Sequence, residues 1–218
     1  MEINQRQLLL KKKTISLLPK EYQRVEYIES TGTQYINTNQ KFTHPISFKV
    51  RAQKLVYSVV YVFGAVGTQT AYGGSVSFNQ NSNGTNPYFS AIGRYNQYQG
   101  YATCYMGNWN DIELEGGSVT INGTTKTFTI GTRSSDSNII LFGLNNAGTV
   151  EPYPVQVANF QIFTGDTERI KVRDFIPCYR KSDGVAGMYD LCGSICPLTD
   201  TPFYINSGTG DFLRGNNV

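Results

Sequence analysis

The run Asp111-Ile-Glu-Leu-Glu has the plainest chemical potential in the chain. On a strand, side chains alternate between faces, so Asp111, Glu113 and Glu115 would project together while Ile112 and Leu114 point the other way. Glycoside hydrolysis needs two carboxylates about 5–10 Å apart, and alternate positions on one strand supply that spacing. The same alternation has a simpler meaning, in which Ile112 and Leu114 face a core and the acids face water. The simpler meaning is preferred, so no catalytic residue is assigned and the chain is not expected to be an enzyme.

Other reactive groups are sparse. His44 is the single histidine, so any Ser-His-Asp or Cys-His site would have to use it. It precedes Pro45 in a loop, where a solvated ring is the ordinary outcome. Cys192-Gly-Ser-Ile-Cys196 could offer two thiolates to zinc, but a closed site takes four ligands and Cys178 is the one clear addition. Buried small side chains or an occasional disulfide fit these cysteines better, and no metal or other cofactor is expected. The aromatic and amide-rich run from Tyr95 to Trp109 is different in kind. Aromatic faces with Asn and Gln donors are suited to gripping sugars or polar protein surfaces. Tyr95, Tyr98, Tyr101, Tyr105 and Trp109 are therefore the candidate ligand-binding residues, with a tyrosine-rich packed layer as the alternative.

The elements that must position these residues read as strands throughout. Residues 46–53 alternate apolar and polar, which turns Ile46, Phe48 and Val50 to a core. Residues 56–63 are apolar on both faces, as in a central strand. Further strands are expected at 75–78, 88–92, 111–114, 119–122, 127–130, 139–144 and 157–163. Asn122-Gly123 is a two-residue hairpin signal, and Ser30-Thr-Gly-Thr is read as a second hairpin between 22–28 and 34–37. Near the end, a strand with Val172 and Ile176 is expected to stop at Pro177, which has no amide to donate. Ser182-Asp183-Gly184 then supplies a turn, followed by strands at 185–191 and 203–205. Asp174, Asp183 and Asp190 are assigned to turn and strand-end hydrogen bonds. No segment carries a helical period of useful length.

Composition agrees with an all-β fold. The chain has 218 residues, of which 16% are charged, against about 25% in ordinary globular domains. Gly, Thr, Asn, Ser and Tyr fill the difference. The formal net charge of +3 lacks the clustered basic and aromatic pattern of a nucleic-acid binder, and no apolar run approaches the ~20 residues of a membrane span. Neither nucleic acid nor membrane is expected as a partner. Leu8-Leu9-Leu10, followed by its basic run, does not read as a secretory signal. Residues 1–18 are set apart as a possible anchoring arm, and 19–218 as one domain.

Specific motifs carry a family resemblance. Val25-Glu-Tyr-Ile-Glu-Ser-Thr-Gly-Thr-Gln-Tyr-Ile, Ile140-Leu-Phe-Gly, the run from Arg173 to Leu191 and the run from Phe203 to Phe212 resemble concanavalin A-like (laminin G-like) jelly-roll domains of phage and prophage virion proteins from gut bacteria. The resemblance spans about residues 19–215. It implies a jelly-roll β-sandwich, a structural or adhesion role on a virion assembled in the bacterial cytoplasm, and host surface glycans as possible ligands. Other virion proteins, met through the arm, and further copies of the same chain are the implied protein partners. It also argues against hydrolysis. Jelly-roll glucanases carry a Glu-x-Asp-x-Glu strand, whereas the order here is Asp, Glu, Glu. The segment from Cys192 to Pro202 is a departure, since relatives place a short turn there. A free-standing carbohydrate-binding domain is the second expectation.

Overall fold

A computed structural model describes residues 18–67, 73–79, 88–91, 98–100, 106–127 and 134–218, with the backbone alone for 88–91 and 98–100. Among the described residues every regular element is a strand. The first are β1 (Tyr22–Arg24), β2 (Ile28–Thr31), β3 (Ile36–Thr43), β4 (Ile46–Lys54), β5 (Val60–Val66) and β6 (Gly74–Asn79). Then come β7 (Tyr88–Ala91), β8 (Tyr98–Gly100), β9 (Trp109–Glu115), β10 (Ser118–Ile121), β11 (Thr124–Thr127), β12 (Ser134–Leu141) and β13 (Gly143–Asn146). The chain closes through β14 (Thr149–Pro152), β15 (Pro154–Thr164), β16 (Ile170–Arg180), β17 (Ala186–Asp190), β18 (Phe203–Tyr204) and β19 (Leu213–Arg214).

These strands form two sheets. The larger has 11 strands and runs β11-β10-β9-β4-β15-β16-β17-β18, with β1 on β16 and β2 bridging β15 to β19. The smaller has 8 and runs β14-β13-β5-β6-β7-β8, with β12 joining β3 to β5. Between them lies the core, where a row of aromatic rings from the larger sheet meets Phe63 of the smaller one. Phe63 of β5 sits 4.6 Å from Phe48 of β4 and 4.7 Å from Phe160 of β15, centroid to centroid. Phe160 continues to Phe175 at 6.3 Å, and Phe175 meets Tyr204 edge-on at 4.9 Å. Each ring removes a large apolar area from water and gains further from offset or edge contacts. Period 2 sets the pattern: Phe48, Val50 and Ala52 are buried while Lys49, Arg51 and Gln53 point outward. A bulge in β15 between Val157 and Asn159 shifts its register against β4. The slip keeps Val155 and Val157 inward on one side of the bulge and Phe160 and Ile162 inward on the other.

A second, smaller apolar cluster lies on the opposite face of the same large sheet. Leu18, Ile176, Cys178 and Phe203 are buried there, with Tyr22, Tyr189 and Leu191 packed around them. The segment entering β1 thus crosses over the outer side of β16, β17 and β18. Leu18, at the end of the expected arm, is 6% exposed.

The Asn122-Gly123 turn is as expected. Ile121 pairs with Thr124, and both turn residues have positive φ (49° and 82°), the backbone of a type I′ hairpin. Four expectations shift. Ser30-Thr-Gly-Thr does not close a hairpin, because β2 joins the large sheet through β15 and β3 joins the small one through β12. Gln34 folds back there, taking the Thr31 amide at 2.7 Å, so the segment turns between layers. β16 does not stop at Pro177. Val25 donates to the Pro177 carbonyl at 3.1 Å, so the missing amide faces the same way, at the point where β1 has ended. The central strand expected at 56–63 starts at Val60, leaving Tyr57 66% exposed. The run 139–144 splits at Phe142, whose φ of 68° separates β12 from β13.

Candidate functional site

β9 places its acids as its alternation requires. Ile112 and Leu114 are buried while Asp111 and Glu115 are exposed and Glu113 is half-buried. Antiparallel pairing with β4 sets Asp111 opposite Arg51 and Glu113 opposite Lys49. The cross-strand pairs close as ion pairs, Arg51 to Asp111 at 2.7 Å and Lys49 to Glu113 at 2.9 Å. Arg169 adds a third link, 3.0 Å from Glu113 and 2.8 Å from Glu115, with its guanidinium 4.4 Å over the Phe163 ring.

This neutralisation bears on chemistry. Burial alone would raise the Glu113 carboxyl, but hydrogen bonds and charge from Lys49 and Arg169 outweigh it and hold the group below its ordinary value. A general acid must keep its proton near neutral pH, which calls for the opposite shift. The β9 acids form a salt-linked ladder with Lys49, Arg51 and Arg169.

The ladder forms part of a groove. A cavity of about 570 Å³ is lined from adjacent strands by Thr120, Glu113, Lys49, Gln161 and Asp174, with Asn159 and Arg24 in its walls. These residues belong to neighbouring strands of the large sheet, so the depression runs across the strands. Gln161 donates to Asp174 at 2.9 Å and Lys171 to the same carboxylate at 2.8 Å, so amides and paired charges line one part of the groove, while Ile176 and Leu191 give it an apolar wall.

A second depression of about 430 Å³ adjoins it, walled by Arg24, Tyr27, Arg51 and Trp109. Trp109 begins β9 on the same outward parity as Asp111, with the Tyr27 ring 5.7 Å away and the Arg51 guanidinium 5.7 Å from its centroid. Trp109 is thus the candidate ligand residue that lines a groove. Tyr98 begins β8 at the far edge of the smaller sheet, so the two described members of the aromatic run start strands in different sheets. Tyr95, Tyr101 and Tyr105 lie outside the described residues.

The remaining candidates have structural surroundings. Cys178 is buried in the second cluster, where burial pushes its thiol up to about 12. Metal ligation needs a thiolate, which that environment opposes. Cys192 is exposed and Cys196 buried, both as free thiols, and among the described residues no group of three or more His, Cys, Asp or Glu could hold a metal ion. His44 is half-buried, its backbone amide donating to Ser134 Oγ at 3.2 Å.

Of the three aspartates assigned to backbone bonding, Asp190 and Asp183 do bind backbone, whereas the Asp174 carboxylate takes the side chains of Gln161 and Lys171. Asp190, fully buried, accepts from the amides of Asp174 at 2.8 Å and Cys192 at 3.0 Å and from the Ser194 hydroxyl. Ser194 also meets the Tyr204 hydroxyl at 2.9 Å, so the segment from Cys192 to Pro202 is tied down on the sheet. Asp183 accepts three bonds from the Arg180 side chain and one from the Val185 amide.

Several groove residues carry no signal that sequence reasoning used. Lys49 and Arg51 alternate with core residues opposite the β9 acids, and Asn159 and Gln161 do the same in β15. That pattern, once registers are known, marks the face. Arg24 and Tyr27 have no such pattern, because Arg24 ends a short strand whose partner, β16, is distant in sequence, and Tyr27 lies in the link between β1 and β2.

The fold has solved counterparts. A protein from Bacteroides ovatus, provisionally assigned to carbohydrate binding, is similar with a TM-score of 0.53 at 9% identity, over 89% of this chain and 62% of that one. The chain therefore spans about three-fifths of that protein's length. A heptameric SAP-like pentraxin from Limulus polyphemus gives 0.41 at 12% identity, over 64% of this chain and 70% of that one. Domains LG4-5 of the mouse laminin alpha1 chain give 0.39 at 12% identity, over 81% and 48%. No protein-family model matches the chain, and no curated protein does. The likeness is one of fold, a concanavalin A-like jelly-roll sandwich.

Proposed function

We propose that this chain is a lectin-like module that binds glycans on the grooved outer face of its larger sheet. The observation that carries the reading is the pair of adjoining grooves, polar and hydrogen-bonded along β4, β9 and β15 and aromatic at Trp109 and Tyr27. Sugars present hydroxyls for carboxylates and amides and flat C–H faces for aromatic rings, so both kinds of wall are useful to them. The provisional carbohydrate-binding assignment of the Bacteroides protein supports the same reading. Titrating the full chain against an array of host-surface glycans tests it. Trp109→Ala should lower binding at least about tenfold, the order expected for an aromatic anchor. Tyr98→Ala is the counter-test: loss there, with Trp109→Ala silent, places the site on the smaller sheet, in the Tyr95, Tyr98, Tyr101 and Tyr105 run.

The finer reading is a virion protein, capsid- or tail-associated, that displays this module to host glycans and is held by residues 1–18. The closing motifs and the run from Val25 to Ile36 support it through their resemblance to phage domains. Mass spectrometry of purified particles should find the chain in a fixed copy number, and light scattering should give a homo-oligomer. Deleting residues 2–17, which spares the buried Leu18, should abolish incorporation; normal incorporation removes the anchoring role. The Bacteroides likeness favours the other reading, a free-standing carbohydrate-binding domain, and absence of the chain from particles would select it.

A further inference from the structure

Arg24 is the residue that the two grooves have in common. It ends β1, exposed, while its neighbour Val25 is turned into the core. Among the described residues, the cations along the floor of the grooves are ion-paired. Lys49 is taken by Glu113, Arg51 by Asp111, Arg169 by Glu113 and Glu115, and Lys171 by Asp174. Arg24 forms no ion pair among the described residues. The nearest acid along the chain, Glu26, is occupied by the Asn216 amide and side chain, both at 3.1 Å.

We infer that the groove takes a glycan bearing a carboxylate, whose acid group binds the Arg24 guanidinium where the two depressions meet and whose neighbouring ring lies against Trp109 and Tyr27. The inference rests on the glycan-binding reading and narrows it to acidic sugars. A guanidinium presents a rigid fork that matches a carboxylate with two charge-assisted hydrogen bonds. At Lys49 or Arg51 an incoming acid would have to displace a carboxylate already bound. At Arg24 no ion pair among the described residues has to be broken. The paired floor then plays a second part, since matched charges at β9 and β4 impose little net repulsion on an anion arriving beside them.

The test is calorimetric titration of the full chain with two acidic probes and their neutral counterparts: tetragalacturonate against its methyl ester, and 3′-sialyllactose against lactose. In at least one couple the acidic form should bind about tenfold tighter, and the advantage should shrink as salt is raised, because exposed charge is screened. Arg24→Gln should bring the ratio of acidic to neutral affinity to about one, and Arg24→Lys should keep part of that ratio, as a point charge without the fork. Thermal unfolding of Arg24→Gln should match the parent, since the side chain is exposed. Equal binding of acidic and neutral forms, or an advantage that survives Arg24→Gln, overturns the inference and leaves glycan binding standing. If no saccharide binds, the glycan reading falls and this inference falls with it.

Discussion

The outer face of the large sheet is built in two ways. At β16, β17 and β18 it carries Ile176, Cys178 and Phe203, and the chain folds Leu18 and Tyr22 back over them. At β9, β4 and β15 it carries Asp111, Glu113, Lys49, Arg51, Asn159 and Gln161, left uncovered as a groove. Strand geometry is the same in both, so the difference lies in what the outward positions hold. Apolar outward residues gain by being roofed, and the roof becomes a second core. Outward charges and amides satisfy one another across strands and stay in contact with water, which keeps the face open to a ligand.

The contrast predicts a graded response to substitution. Phe203→Ala should have the largest effect, destabilising the fold by about 3–5 kcal/mol as a buried aromatic lost from a packed cluster, read by denaturant unfolding. Leu18→Ala should cost about 2 kcal/mol by the same mechanism. An effect near zero would mean that the roof contributes nothing to stability.

On the open side the changes should be small. Glu113→Gln should cost under about 1 kcal/mol at neutral pH, because the ladder is partly exposed and screened. It should also flatten the acid limb of the stability profile. The folded Glu113 carboxyl titrates below its unfolded value of about 4.3. Its contribution is therefore complete above that pH and is lost as pH falls through the lowered folded value. Asp111→Asn should be smaller still, at a position 63% exposed, and should change unfolding by a few tenths of a kcal/mol. A loss on the open side as large as that of Phe203→Ala would erase the distinction between the two halves.

The alternation of β4 and β9, the type I′ turn at Asn122-Gly123 and the backbone role of Asp190 were all legible as sequence, because each is a local pattern with a local cause. Where layers change, local pattern fails. Ser30-Thr-Gly-Thr has hairpin chemistry, yet its strands belong to different sheets, and that is decided by β15 and β12 far along the chain. Pro177 obeys its rule in a way local sequence hides, since its missing amide costs nothing where β1 ends. Trp109 was a candidate by type, and it lines a groove. Its partners Tyr27 and Arg24 come together only through tertiary pairing of β1 with β16.

The most direct test of the central claim is amide chemical-shift mapping of the full chain titrated with whichever glycan it binds best. The account predicts that the largest shifts fall on Lys49–Gln53 in β4, Trp109–Glu113 in β9, Asn159–Gln161 in β15 and the Arg24–Tyr27 segment. Shifts confined to the smaller sheet, with these amides unmoved, would contradict it.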